Sequence, residues 1–160
     1  MLRKIGIALA AGALASTSAM AQDTAKVGLV LPLTGGLAPV GKQVQAGVKL
    51  YMEKNGDTVA GKKIDLIIKD DAGVPDNSKR LAQELIVNDK VAVVGSALTP
   101  SAMAIGPLST QGKTANVVMV SGTSGVINPN NPYMVRTSFT LGQQSGISRN
   151  GRRRTAARKS

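Results

Sequence analysis

Two stretches of the chain place small hydroxyl side chains directly after apolar runs. The first, Val91-Ala-Val-Val-Gly-Ser-Ala-Leu-Thr-Pro-Ser-Ala-Met103, breaks at Gly95, passes Ser96, Thr99 and Ser101, and restarts as a helix. The second repeats the plan, with Val117-Val-Met-Val120 leading into Ser121-Gly-Thr-Ser-Gly125. A helix start leaves its first N–H groups unpaired and carries partial positive charge, so Ser96, Thr99 and Ser101 sit where a carboxylate would be held. Two adjacent strands ending in such loops make a polar pocket at one edge of a parallel sheet, where ligands of doubly wound folds bind. The chemistry on offer is neutral hydrogen bonding to an anion. That is binding, not bond making.

Other residues that could react support this restriction. The chain has no His and no Cys, which removes the commonest general base and the commonest thiol nucleophile. A serine hydrolase would lack its usual base, so no enzyme is expected. Asp70-Asp71 could suggest a metal pair, but no His, Cys or further carboxylate cluster accompanies it. The pair is expected to end a strand and shape a turn. Gly35-Gly36 fails the spacing of both the dinucleotide fingerprint and the lysine-bearing phosphate loop. No cofactor is implied. Hydroxyls after strands also cap helices, and Ser101, following Pro100, is expected to cap rather than to touch a ligand.

The elements that must position these loops alternate between strand and helix. Lys26 to Pro32 reads as a strand covered on both faces, and Leu33-Thr-Gly-Gly-Leu-Ala-Pro39 as a glycine-rich loop. A helix over Val40 to Asn55 follows, then a turn bracketed by Gly56 and Gly61, and a strand over Lys63 to Lys69. Asp76 or Asn77 is expected to cap a helix running to Asn88 with Leu81, Leu85 and Ile86 inward. Strands over Val91 to Val94 and Val117 to Val120 flank a helix from about Ser101 to Gln111, and Tyr133 opens a fifth strand. The fold class expected is α/β, a doubly wound parallel sheet.

The termini are unlike this body. Leu2-Arg3-Lys4 is basic, Ile5 to Ala15 apolar, and Ser16 to Ala21 small and polar, a secretory signal with cleavage expected after Ala21. Its apolar core is far short of the ~20 residues needed to span a bilayer. The formal charge of +11 is concentrated elsewhere: Arg149, Arg152, Arg153, Arg154, Arg158 and Lys159 crowd the last positions. Without these and without Arg3 and Lys4, twelve basic residues face nine acidic ones. The body is therefore an ordinary, mildly basic domain of about 125 residues, long enough for one modest core. With one Phe, two Tyr and no Trp, that core must be aliphatic.

The ordered set of export signal, strand, Leu33-Thr-Gly-Gly36, helix, strand, Asp70-Asp71-Ala72, helix and Val93-Val-Gly-Ser-Ala-Leu-Thr-Pro100 resembles the periplasmic solute-binding proteins of branched-chain amino acid ABC transporters. The resemblance covers roughly residues 5 to 145 and implies the N-terminal lobe of a type I periplasmic binding protein, second lobe missing. It divides the chain into a signal peptide (1–21), a ligand-binding lobe (22–146) and a basic, unstructured tail outside the family pattern (147–160). Pro132-Tyr-Met-Val-Arg-Thr-Ser-Phe139 looks like a subgroup that takes aromatic and other small carboxylates as well as amino acids. By position, the resemblance implies ligand contacts from Ser96, Ala97 and Thr99 in one loop and Ser121, Thr123 and Ser124 in the other, with Thr99 and Thr123 foremost. Val40 lies where amino-acid binders often carry an aromatic wall, which turns the expectation away from leucine, isoleucine and valine. The implied partners are a small carboxylate or amino acid and an ABC permease in the inner membrane, the implied location is the periplasm, and no nucleic acid is expected.

The resemblance stops near Ser145. Codons for Gly151 to Lys159 can be chosen that, read one base earlier, spell Trp-Ala-Ala-Lys-Asn-Gly-Ser-Lys-Lys, which looks like the helix the family has there. A frameshift after the first lobe is the expectation, leaving a chain that holds solute weakly and cannot close around it. Two other classes stand beside this one: a ligand-sensing module of the same fold, and an exported basic protein that binds polyanions through its tail.

Overall fold

The computed structural model describes residues 24–146, so the expected signal peptide and the basic tail lie outside the described residues. Strand β1 (Thr24–Leu31) runs through the middle of the sheet and is buried over its second half. Its alternation decides which helix packs where. Leu29 and Leu31 face one side with Val44 and Val48 of α1 (Ala38–Asn55) and with Leu66 and Ile68 of β3 (Lys62–Asp70). Val30 faces the other side, where Leu81, Ala82 and Leu85 of α2 (Pro75–Val87) and Ile105 of α3 (Thr99–Gln111) close a second core with Val94 of β4 (Val93–Ser96). Helices on both faces of a strand that is apolar on both faces are what the continuous Val-Gly-Leu-Val-Leu run requires.

The sheet has six strands in the order β2-β3-β1-β4-β5-β6, with β5 over Ala115–Val118 and β6 over Met134–Arg136. All neighbours pair in parallel except β2 (Thr58–Val59), which lies antiparallel to β3. The expected turn between Gly56 and Gly61 thus contains a two-residue edge strand. Ala60 and Gly61 both have positive φ, 50° and 79°, the pair of left-handed conformations that lets a hairpin close over two residues.

Two boundaries move, with consequences for the site. The apolar runs predicted strands at 91–94 and 117–120, whereas β4 covers 93–96 and β5 covers 115–118. Asn116 explains the second shift. It is polar, so hydropathy reading excludes it, yet it is fully buried in the strand and its Oδ1 accepts from the Ser96 hydroxyl at 2.9 Å. Helix starts also differ from expectation. Val74 is the N-cap of α2 with no side-chain cap bond, and Pro75 occupies the first turn, where its missing N–H costs nothing. Asp76 sits in that turn but does not cap, and the Asn77 side chain instead donates to the Asp71 carbonyl. In α3 the N-cap is Leu98, so helix begins at Thr99 and Ser101 is not a cap. Residues 141–146 are helical, opened by a reciprocal pair in which Thr140 N–H donates to Gln143 Oε1 and Gln143 N–H donates to Thr140 Oγ1.

Candidate functional site

The loops after β1, β3, β4, β5 and β6 all emerge at the carboxyl edge of the sheet, and two neighbouring aspartates tie several of them together. Asp70 closes β3. Its Oδ1 accepts from the N–H groups of Leu33 (2.8 Å), Thr34 (3.3 Å) and Ala72 (2.8 Å), and its Oδ2 from the Thr34 hydroxyl (2.7 Å). The Thr34 hydroxyl is the largest cause holding the Asp70 carboxyl below its ordinary range; desolvation opposes it, and the three N–H bonds add to it. Asp70 therefore fastens the glycine-rich loop after β1 to the turn after β3.

Asp71 is fully buried and works inward. Its Oδ1 accepts from Gly73 N–H, and its Oδ2 accepts from the hydroxyls of Ser78 (2.6 Å) and Ser101 (2.8 Å), which also contact each other at 2.9 Å. One carboxylate thus joins the first turns of α2 and α3. The expected strand-ending and turn-shaping role of the pair is what these bonds describe. Sequence reading missed the Asp71 network, although it left a signal: Ser78 falls on the same helical stripe as Leu81, Ala82 and Leu85, and a hydroxyl on a buried stripe needs a partner.

With α3 held in place, Thr99 meets the loop after β5. Its Oγ1 lies 2.7 Å from Ser121 Oγ and 3.2 Å from Thr123 Oγ1. Three hydroxyls making two mutual contacts use two of their three protons, which leaves one donor for a ligand. Ser121 is 3% exposed while Thr123 is exposed, so the cluster runs from the interior to the surface.

The structure sorts the six expected ligand residues. Thr99, Ser121 and Thr123 converge. Ser124 is exposed and opens the single 3-10 turn Ser124–Val126. Ser96 and Ala97 are both 0% exposed. Because β4 extends to Ser96, its hydroxyl is used on Asn116 and its carbonyl accepts from Met119 N–H, while the Ala97 carbonyl accepts from Val120 N–H. Ser101, expected as a cap, is committed to Asp71. Val40 stands half-buried in the first turn of α1. Sequence reading did not single out Arg136 or Ser138, which both bond the loop that carries Ser121 and Thr123. Among the described residues no group of three metal-ligating side chains occurs.

An open α/β sheet covered on both faces, with a hydroxyl cluster at its carboxyl edge between adjacent strands, is the place where doubly wound folds bind small ligands. The family model described as periplasmic binding protein matches residues 24–147, and the chain belongs to that family. A curated relative, Leu/Ile/Val-binding protein homolog 6 of Brucella abortus, is 40% identical over 147 residues, which are 90% of this chain and 37% of the relative. Among solved structures, a solute-binding protein of an ABC transporter from Rhodopseudomonas palustris BisB5, in complex with 3,4-dihydroxybenzoic acid, is 61% identical with a TM-score of 0.73, covering 76% of this chain and 33% of that one. A second solute-binding protein, from R. palustris HaA2 with p-hydroxybenzoic acid, is 41% identical with a TM-score of 0.69 over 74% of this chain and 32% of that one. This chain therefore spans about a third of the length of these relatives. The expected resemblance and fold class hold at the level of family and lobe.

Proposed function

We propose that this chain supplies the carboxylate-holding lobe of an ABC importer's solute-binding component, that it acts in the periplasm after cleavage behind Ala21, that it performs no catalysis, and that its solute is an aromatic acid of the hydroxybenzoate class. The observation that carries the reading is the Thr99–Ser121–Thr123 cluster at the carboxyl sheet edge, with one hydroxyl proton to spare. Neutral donors suit a carboxylate because they bind the anion without having to be desolvated as charges themselves. The choice of an aromatic acid is supported by the 61%-identical R. palustris protein bound to 3,4-dihydroxybenzoic acid and by Val40 at the position where an aromatic wall marks amino-acid binders. The importing permease is the implied partner.

The test is titration of the isotope-labelled chain with 3,4-dihydroxybenzoate and, separately, with leucine, followed by NMR. Shifts centred on Thr99, Ser121 and Thr123 with the aromatic acid, and at least about tenfold weaker response to leucine, are expected. A stronger response to leucine returns the reading to branched-chain amino acids. Shifts elsewhere, with none in these loops, remove the site.

Residues 147–160 belong to the same proposal as codons read one base out of frame, an inference supported by the family-like peptide spelled in the alternative frame. Sequencing the gene tests it. A displaced frame that continues the family pattern downstream is expected, and its absence makes the basic tail a feature to be tested for salt-sensitive polyanion binding. Residues 24–146 taken alone contact a carboxylate from one side only, so affinity in the millimolar range is expected in this titration.

A further inference from the structure

The loop after β5 is polarised, and a single side chain accounts for much of that. Three successive carbonyls that could face a ligand are turned to donors of the protein. Ser121 O accepts from Arg136 Nη1 at 3.0 Å and from Ser138 Oγ at 3.0 Å. Gly122 O accepts from Leu141 N–H at 2.9 Å. Thr123 O accepts from Arg136 Nη2 and, at 3.5 Å, from Val126 N–H. The N–H groups of Ser121, Gly122 and Thr123 have no acceptor among the described residues. The segment therefore keeps its carbonyl acceptors turned away and its three amide donors uncommitted, with one hydroxyl proton of the Thr99–Ser121–Thr123 cluster to spare, which is the arrangement an anion requires.

We propose that Arg136 is a positioning residue for carboxylate recognition: its guanidinium fork spans Ser121 O and Thr123 O, and so presents the loop's donors to the ligand without touching it. The inference rests on the carboxylate reading above. Arginine suits the task because two parallel N–H vectors in a rigid plane set the separation of two carbonyls, whereas a lysine ammonium can neutralise one but cannot fix both. Placement on β6 matters too. Arg136 is the last residue of a strand hydrogen-bonded to β5, so the fork is anchored to the same sheet that carries the loop it holds.

The experiment uses the full chain and its Arg136→Gln, Arg136→Lys and Ser138→Ala variants, with 4-hydroxybenzoate as probe and its methyl ester as the control lacking an anion. Amide hydrogen exchange is read in parallel, and a thermal melt verifies folding. Arg136→Gln is expected to weaken 4-hydroxybenzoate about tenfold or more and to speed exchange at residues 121–126 without changing exchange in β1 and β4. Arg136→Lys should recover part of the loss, Ser138→Ala should lose about threefold or less, and the ester should bind poorly throughout. Wild-type affinity in Arg136→Gln overturns the proposal, as does equal loss for acid and ester. If the unaltered chain binds neither compound, the carboxylate reading fails. Exchange at 121–126 then judges the clamp alone, and unchanged exchange in Arg136→Gln overturns it.

Discussion

At the scale of single residues, the candidate site divides into hydroxyls gathered at the sheet edge and groups that hold them there. Thr99 belongs to the first kind. Thr99→Val keeps the shape and removes the hydroxyl that joins Ser121 to Thr123, so affinity for 4-hydroxybenzoate is expected to fall roughly tenfold in an NMR titration with little change in melting temperature. Asp71 belongs to the second kind. Asp71→Ala strands the buried hydroxyls of Ser78 and Ser101 together with the Gly73 N–H, and a loss of about 3 kcal/mol in urea unfolding is expected. Ser101→Ala removes its bond to Asp71 and its contact with Ser78 but leaves the carboxylate accepting from Ser78, so about 1 kcal/mol is expected there. Sequence reading placed Thr99 and Thr123 together at the sheet edge, where their hydroxyls meet, because residue type and strand-end position are local facts. Ser96 is buried in a strand that ends two residues later than the apolar run suggests, with its hydroxyl on Asn116, twenty residues away.

At the scale of elements, the junction between β1 and β3 carries the pH dependence. Because the Asp70 carboxyl is held below its ordinary range in the folded chain, it stabilises the fold above its unfolded value of about 4, and this contribution is lost as pH falls through the lower folded value. Urea midpoints measured from about pH 6 down to about pH 2.5 should fall for the unaltered chain, and fall less steeply for Thr34→Ala, which lacks the largest cause of the shift. The contact of α2 with the sheet offers a second test. A Cβ built on Gly28 would lie 2.8 Å from Leu85 Cδ1, so Gly28→Ala forces a leucine to move in a closed core and should cost about 1 to 3 kcal/mol. Lys69 joins β3 to α2 from outside, with its ammonium 2.6 Å from Glu84 and 3.3 Å from Asp89. The hydrogen bond to Glu84 is the largest cause raising its pKa.

For the molecule as a whole, the cores on the two faces of the sheet share β1 and should not unfold separately. Leu85→Ala, in the core on the α2 and α3 side, is expected to lose about 2 to 5 kcal/mol and to lower protection of Leu29 and Leu31 amides as much as that of Val94. Earlier exchange on one side would show two units instead of one. The order of strands and helices, the doubly covered sheet and the hydroxyl loops at its carboxyl edge were legible in the chain, because hydropathy period, turn residues and strand-end chemistry are written over a few neighbouring positions. The two-residue β2, the uncapped starts of α2 and α3, the Asp71 network and the Arg136 fork were not. β2 is too short to show a period, while the Asp71 network and the Arg136 fork depend on groups far apart in the chain, Asp71 with Ser101 and Arg136 with Ser121, meeting at about 3 Å. Residue types by themselves set the expectation of neutral donors for an anion. Only the tertiary structure decided which donors remain uncommitted, because a hydroxyl or carbonyl that finds a protein partner in the fold is no longer available to a ligand.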